Sequence, residues 1–209
     1  SGLRSYYKAM FRLIDAYLFN SQLAKEVYEA NQITPKNNSI VSISNSSITK
    51  HNILSNSREK TVVAYIGPDE EYKGYFDFLN IVDDLDLEKY DIKTYGHFPN
   101  EDCPSYIQQN GYFTKETIDR IYADIDILIV PSKWKETFGF ITMEALSYGV
   151  NVFVSENVGS KDLVSQNHIF YDKQDLLDKL NSVQRETVKL KTLKDHVIEI
   201  IEYYSRVRM

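Results

Sequence analysis

Ile125-Asp126-Ile127-Leu128-Ile129-Val130-Pro131-Ser132 carries the decisive pattern of this chain. Its apolar residues run together without polar alternation and stop at a proline. A strand with one wet face alternates apolar and polar side chains, whereas a strand covered on both faces does not. Ile125–Val130 therefore reads as a buried strand. Val62-Val63-Ala64-Tyr65-Ile66, closed by Gly67, repeats the pattern. Shorter versions stand at Ile92–Tyr95, closed by Gly96, at Val152–Val154 and at His168–Tyr171. Helical spacing separates them, over Tyr75–Val82, over a helix entered through Thr114 as cap with Thr117 in its first turn, and over Met143–Ser147. Two further helices follow, Lys173–Val183 and Thr187–Arg206. Buried strands alternating with helices predict an α/β fold: a Rossmann-like parallel sheet with helices on both faces. Ligands of such sheets gather beyond the carboxyl ends of the strands. The loops after Ile66, Tyr95, Val130 and Val154 are therefore where chemistry is sought.

Outward from this block the pattern changes. Residues 61–184 form the Rossmann-like unit, preceded by residues 37–60, a Ser/Asn-rich linker with one short strand. In 37–57, 12 of 21 positions are Ser or Asn. Residues 1–36 read as a helix, a short apolar stretch and a second helix, with Ala16–Phe19 either continuing the first helix or forming a short strand. Asn20-Ser21 resembles an N-cap for Gln22–Glu29. Residues 185–209 read as a terminal helix, with Val197, Ile198, Ile201 and Tyr204 on one face. No internal repeat is found.

Composition narrows the class. The 209 residues are 43% hydrophobic and 26% charged, enough for a sizeable core. Lys+Arg 24 against Asp+Glu 30 gives a net charge of −6, so the chain has no global affinity for nucleic acid. No apolar run approaches the roughly 20 residues that span a bilayer. The single Cys103 excludes an internal disulfide framework and a multi-cysteine zinc site, and points to a reducing, cytoplasmic compartment. In that setting the sequons at Asn37 and Asn45 have no meaning. The Ser1-Gly2 start, without a signal peptide, reads as the start of a fragment.

Two loops carry candidate chemistry. Gly67-Pro68-Asp69-Glu70-Glu71-Tyr72-Lys73-Gly74 links a strand to a helix. A helix N-terminus offers free N–H groups, and a Lys there adds a mobile positive charge for phosphate. The loop is neither a P-loop nor a GxGxxG turn, so nicotinamide and flavin readings have no support. A plain loop with a solvated Lys is the alternative. The second loop runs from Pro131 to Gly149 and holds Glu136 and Glu144, eight positions apart. If a helix starts near Gly139 or Phe140, Glu136 precedes it and Glu144 lies about one turn inside. The N–H groups of Gly139–Ile141 then suit a phosphate, and each carboxylate suits a pair of sugar hydroxyls. An ordinary amphipathic helix with an acidic entry is the competing reading.

Pro-Ser-x-Trp-x-Glu-Thr-Phe-Gly-x4-Glu-Ala-Leu-Ser-x-Gly, as it stands at 131–149, resembles the signature of the retaining GT-B glycosyltransferases of family 4, the glycosyl transferases group 1. The resemblance puts that family's paired glutamates on Glu136 and Glu144. Val63–Gly74 is similar to the family's strand and Gly-loop, placing its phosphate-binding lysine on Lys73. Gly111-Tyr112-Phe113 resembles the stretch whose backbone holds the nucleotide base, and Val152–Val164 the strand and loop that follow. The likeness runs from about Ala16 to Val183.

What the resemblance implies is the carboxy-terminal half of a GT-B fold, transferring a hexose-type sugar from a UDP- or GDP-linked donor. Glu136 and Lys73 are implied in catalysis. Gly67, Lys73, Tyr112, Phe113, Glu136, Thr137, Phe138, Gly139, Phe140, Ile141 and Glu144 are implied in nucleotide-sugar binding. No metal and no separate cofactor are implied. The acceptor, a cell-surface polysaccharide or a glycolipid, is expected to meet a preceding domain, of which residues 1–31 resemble the last elements. Peripheral attachment to the inner face of a membrane would belong to that longer protein. The isolated chain is expected to bind donor weakly and to transfer slowly or not at all. A degenerate, non-catalytic partner of a true transferase is the rival reading.

Three features depart from the family pattern. Pro68 stands where an arginine often pairs with the lysine, leaving Lys73 alone or helped by Lys161. Gly149-Val150-Asn151-Val152 replaces Gly-x-Pro-Val. The chain holds one Rossmann unit where a GT-B enzyme has two. Among other features, Asp84/Asp86 and Asp124/Asp126 spell Asp-x-Asp but do not end strands, and read as capping or solvated residues. His51, His97, His168 and His196 lack metal-ligand spacing. His97, after a strand end and a Gly, reads as a loop residue without a role or as one lining the cleft, Trp134 and Phe138 as core or stacking residues, and Cys103 as inert.

Overall fold

The computed structural model describes residues 2–48, 58–182, 185 and 188–207. The Ser/Asn-rich reading of 49–57 and the helix bounds read at Val183 and Thr187 lie outside them. The strands of the main sheet are β3 (Thr61–Ile66), β4 (Tyr90–Tyr95), β5 (Ile107–Gln109), β6 (Ile127–Val130), β7 (Asn151–Ser155) and β8 (Ile169–Phe170). Their spatial order is β5-β4-β3-β6-β7-β8, all parallel. Helices α3 (Tyr75–Val82), α4 (Ile118–Ala123), α5 (Phe140–Ser147) and α6 (Lys173–Ser182) cover the sheet. This is the α/β sheet that the unbroken apolar runs predict.

Period-two geometry divides the core between the two faces. Val63, Tyr65, Ile129 and Phe153 join Tyr75, Phe78 and Leu176 on one side. Ala64, Leu128, Val130, Val152 and Val154 join Tyr122, Ala145 and Tyr148 on the other. Because both faces are dry, the strands contain few polar residues. Asn151 is an exception: its Oδ1 lies 2.8 Å from His168 Nε2, so the buried pair satisfies itself.

β3 and β6 are neighbours whose chain connections leave in opposite directions, β3 to β4 on one side and β6 to β7 on the other. Their carboxyl ends therefore open a crevice that no crossover covers.

Some boundaries differ from expectation. α4 starts at Ile118, four residues after Thr114, and Thr117 Oγ1 donates to the Thr114 carbonyl instead of capping the helix (3.1 Å). β5 is too short to announce itself in sequence. The last helix, α7, spans Leu193–Val207, with 188–192 non-helical.

Before the sheet come α1 (Gly2–Phe11), β1 (Tyr17–Phe19), α2 (Gln22–Ala30) and β2 (Asn38–Ile40). Within Ala16–Phe19, Tyr17–Phe19 thus resolves as a strand, paired parallel with β2. Ser21 is the N-cap of α2, its hydroxyl accepting from Ala24 N at 3.0 Å. None of the described helices is long and apolar enough to cross a membrane.

Candidate functional site

A cavity of about 200 Å³ fills the crevice between β3 and β6, lined by Gly67, Pro68, Lys73, Glu136, Gly139, Phe140 and Ile141 among others. A larger apolar hollow of about 400 Å³ lies between α1 and α2, away from the strand ends. The smaller one holds the charged groups and sits where the topology places ligands, so the chemistry is assigned to it.

Its walls are three loops locked together through backbone. Gly74 adopts φ +78, and a Cβ there would stand 1.9 Å from the Pro131 carbonyl oxygen. The Tyr72 carbonyl accepts from Lys133 N (3.1 Å) and Trp134 N (3.0 Å). The loop after β3 is thereby pinned to the loop after β6. The third wall comes from the loop after β7. Glu136 N donates to Asn157 O (2.9 Å) and Gly159 N to Glu136 O (2.8 Å). These contacts fix Glu136 at the main chain.

Within this frame Lys73 Nζ lies 2.9 Å from Glu136 Oε1. Glu136 is the more enclosed partner, with 14% side-chain exposure against 32% for Lys73. Facing them is the start of α5. Gly139, at φ +90, precedes the helix, and the N–H groups of Phe140 and Ile141 come before its first backbone bond, Thr142 N to Gly139 O at 3.3 Å. Positive polarity thus converges on the cavity from Lys73 and from the helix entry. The loop after β3 turns its carbonyls inward. Tyr65 Oη donates to Pro68 O (2.7 Å), and His97 Nδ1 lies 3.0 Å from Gly67 O. A carbonyl can only accept, so that nitrogen carries the proton. Burial, reinforced by the charge of Glu136, raises the Tyr65 hydroxyl pKa and keeps it a donor.

Glu144 lies one turn beyond Phe140 on α5, on the same helix face. Its Oε2 accepts from Tyr122 Oη at 3.3 Å. Burial raises its pKa and outweighs that hydrogen bond, which pulls the other way. Tyr122 itself stacks on Tyr148 with ring centroids 4.7 Å apart.

The expected site residues separate into groups. Gly67, Lys73, Glu136, Gly139, Phe140 and Ile141 share the cavity. Glu144 is not among the lining residues; its carboxylate is held by Tyr122. Thr137 lies beside it, its carbonyl accepting from the Ser21 hydroxyl. Phe138 is buried among Ile48 and Met143, outside the cavity lining. Tyr112 is exposed, edge-on to Phe98 with centroids 4.8 Å apart, and Phe113 packs on the core under the sheet. Lys161 donates to Glu156 O (2.8 Å) and does not line the cavity.

Two readings are corrected. Trp134 is 64% exposed, its backbone N donating to Tyr72 O, which overturns its core reading and leaves the stacking one open. His97 is 2% exposed and serves the Gly67 loop, packed on Tyr75 at 4.9 Å. Tyr122 and Ser160 went unread, since no local pattern marks a residue whose partners come from other loops.

The Asp-x-Asp pairs have structural partners. Asp126 Oδ2 accepts from Val62 N (2.9 Å), Asp124 pairs with Arg58 and Lys93, and Asp86 with Lys89. Among the described residues no three His, Cys, Asp or Glu side chains converge as metal ligands do.

Comparison with known proteins bears on the fold and the family. A 107-residue stretch is 29% identical to an "uncharacterized 41.2 kDa protein in cps region" of Klebsiella pneumoniae, covering 49% of this chain and 29% of that protein. Sucrose-phosphate synthase from Thermosynechococcus elongatus superposes with a TM-score of 0.74 at 14% identity, over 98% of this chain and 61% of its own. Anabaena HepE, in complex with UDP and glucose, superposes with a TM-score of 0.66 at 14% identity, over 85% and 56%. The chain thus spans less than two thirds of these proteins, and the sheet with its helices matches the GT-B glycosyltransferase fold. The model of the family described as glycosyl transferases group 1 matches residues 46–196, most of the chain and all three walls of the cavity, and the protein belongs to that family.

Proposed function

We propose that this chain forms the donor-binding part of a retaining glycosyltransferase of family 4, acting on a nucleotide sugar whose diphosphate enters the cavity between β3 and β6. The observation that carries the reading is the Lys73–Glu136 pair at 2.9 Å, facing the entry of α5. Lys73 and the first-turn N–H groups at Gly139–Ile141 receive the diphosphate. Charge on the leaving diphosphate grows as the sugar departs, and preorganised donors act most strongly there. Glu136 orients the hexose through its hydroxyls. Glu144, at the helix face, takes the ribose hydroxyls, and Tyr112-Phe113 flank the base. The leaving phosphate oxygen accepts the acceptor's proton on the face where the acceptor attacks, so no protein nucleophile is required. The cationic groups supply the positive charge, and the reading requires no metal.

UDP is the first nucleotide to test, because HepE is described in complex with it. The acceptor is a cell-surface polysaccharide or glycolipid, in line with the cps-region relative. It would be met by a further domain of a longer, cytoplasmic protein working at the inner face of a membrane.

A thermal-shift series with UDP, GDP, ADP and their sugars tests the reading. At ligand near 100 times Kd, binding adds about 2.7 kcal/mol, or roughly 5–10 °C for a chain of this size. A shift with one nucleotide, lost in Glu144→Ala and unchanged by a chelator, supports it. No shift with any nucleotide, in a chain that melts cooperatively, overturns it.

One observation favours a second reading, a non-catalytic partner that stabilises a transferase. Pro68 stands at the arginine position, and Lys73 is the one cation among the described residues lining the cavity, already paired with Glu136. In that case nucleotide binding is absent and Pro68→Arg does not create it.

A further inference from the structure

Ser160 lies behind the cavity wall with no solvent exposure, and its Oγ has no hydrogen-bond partner. A buried hydroxyl left unmatched is costly and calls for an explanation. Its surroundings are specific. A Cβ on Gly139 would stand 3.2 Å from Ser160 Oγ and 3.5 Å from Glu136 Oε2. The hydroxyl and the carboxylate oxygen therefore flank the same side of Gly139, next to Val158 Cγ1, which a Cβ there would meet at 2.8 Å. The other oxygen, Oε1, is held by Lys73. Ser160 N donates to Phe138 O (2.5 Å), which fixes the serine against the loop that carries Glu136.

We infer that Ser160 is a positioning residue giving Glu136 a second resting place, occupied when Lys73 lets the carboxylate go. The need follows from charge. A carboxylate bound to the cavity's lysine cancels the charge a diphosphate would use. A ligand that draws Lys73 to its phosphates must part the pair, leaving an enclosed carboxylate unmatched. Such a group is stable only if another donor meets it. A small rotation of Glu136 toward Gly139 brings Oε2 to the waiting hydroxyl. Ser160 then holds the carboxylate where the sugar hydroxyls arrive. This rests on the donor reading for its purpose, while the coupling itself is testable without ligand.

The test is a double-mutant cycle in melting temperature. With Lys73 present, Ser160→Ala removes an unmatched hydroxyl and leaves the melting temperature unchanged or slightly higher. In Lys73→Met, where Glu136 has moved to Ser160, adding Ser160→Ala lowers it by roughly 3–8 °C, the loss of one hydrogen bond to a charged group. Ser160→Cys, with a weaker donor of similar size, falls between. A crystal structure of Lys73→Met would show Ser160 Oγ on a Glu136 oxygen. Equal effects of Ser160→Ala in both backgrounds, or a Glu136 that stays clear of Ser160 in that crystal, overturn the inference. A ligand arm uses UDP and UDP-glucose. Ser160→Ala is expected to weaken UDP and UDP-glucose alike about tenfold, because the diphosphate of either draws Lys73 from Glu136. Equal affinities for UDP-glucose in wild type and variant count against it. Failure of the wild type to bind either overturns the donor reading, and the ligand-free cycle still decides the coupling.

Discussion

Gly74 and the Pro131 carbonyl oxygen meet so closely that a Cβ on the glycine would stand 1.9 Å from that oxygen. The two loops that build the cavity therefore touch where a side chain is forbidden. Gly74 also holds φ +78, a conformation that costs other residues energy. Gly74→Ala is expected to destabilise the chain by about 2–4 kcal/mol. A chemical denaturation curve measures this, and a loss under about 0.5 kcal/mol would mean that the loops are not locked there.

Lys73 is expected to matter far more for binding than for stability. Its pair with Glu136 is partly exposed and contributes at most about 1 kcal/mol to the fold. Toward a diphosphate, on the proposed reading, it would make a charge-assisted contact of about 1.5–3 kcal/mol. Lys73→Met should weaken UDP binding roughly 10- to 100-fold, read by calorimetry, while the unfolding midpoint barely moves. Unchanged affinity would place the phosphates elsewhere.

If Glu144 takes the ribose hydroxyls, the sugar of the nucleotide should report it. Wild type should bind 2′-deoxy-UDP about tenfold more weakly than UDP, a difference of about 1.4 kcal/mol. Glu144→Ala should bind both alike. A variant that still discriminates between them would remove Glu144 from this role.

Glu144 also sets a pH dependence. Burial raises its carboxyl above the ordinary glutamate value of 4.5. Below 4.5 the group is protonated in folded and unfolded chains alike, and it costs nothing. As pH climbs through the folded value, the unfolded chain ionises first and stability is lost. Glu144→Gln keeps an acceptor for Tyr122 and carries no charge. It should unfold at higher urea than wild type at pH 7, and the gap should close near pH 4. A gap that widens on acidification would reverse the assigned direction.

Ser21 joins α2 to the wall of the site. Its hydroxyl caps Ala24 N at 3.0 Å and donates to the Thr137 carbonyl, and Gln22 N donates to Asp162 Oδ2 at 2.7 Å. Ser21→Ala should cost about 1–2 kcal/mol. Hydrogen exchange should quicken at both α2 and Thr137–Gly139. Faster exchange confined to α2 would show that the cap acts locally.

Much of this was legible in the chain. Val62–Ile66, Ile127–Val130 and Val152–Val154 announce a sheet covered on both faces, because burial on two sides disfavours polar positions. Lys73, Glu136 and Glu144 were legible as the charged residues of two loops, through their spacing and the family they resemble. β5 was not, since three residues of mixed polarity at a sheet edge carry no pattern. The exposed ring of Trp134 departs from its core reading because hydrophobicity alone gives no direction to a side chain in a loop.

The amino-acid sequence by itself determined the buried parallel strands, the glycines at loop entries and the charged residues Lys73, Glu136 and Glu144. Those are local properties, set by periodicity, conformational freedom and charge. The tertiary structure alone decided that Lys73 meets Glu136 across 63 positions, and that Tyr122 holds Glu144. It alone left Ser160 unpartnered behind Gly139. Strand order brings the ends of β3 and β6 together, and backbone contacts at Gly74, Tyr72 and Gly159 fix three distant loops around one cavity. No single segment encodes those distances, because each is set by the packing of several.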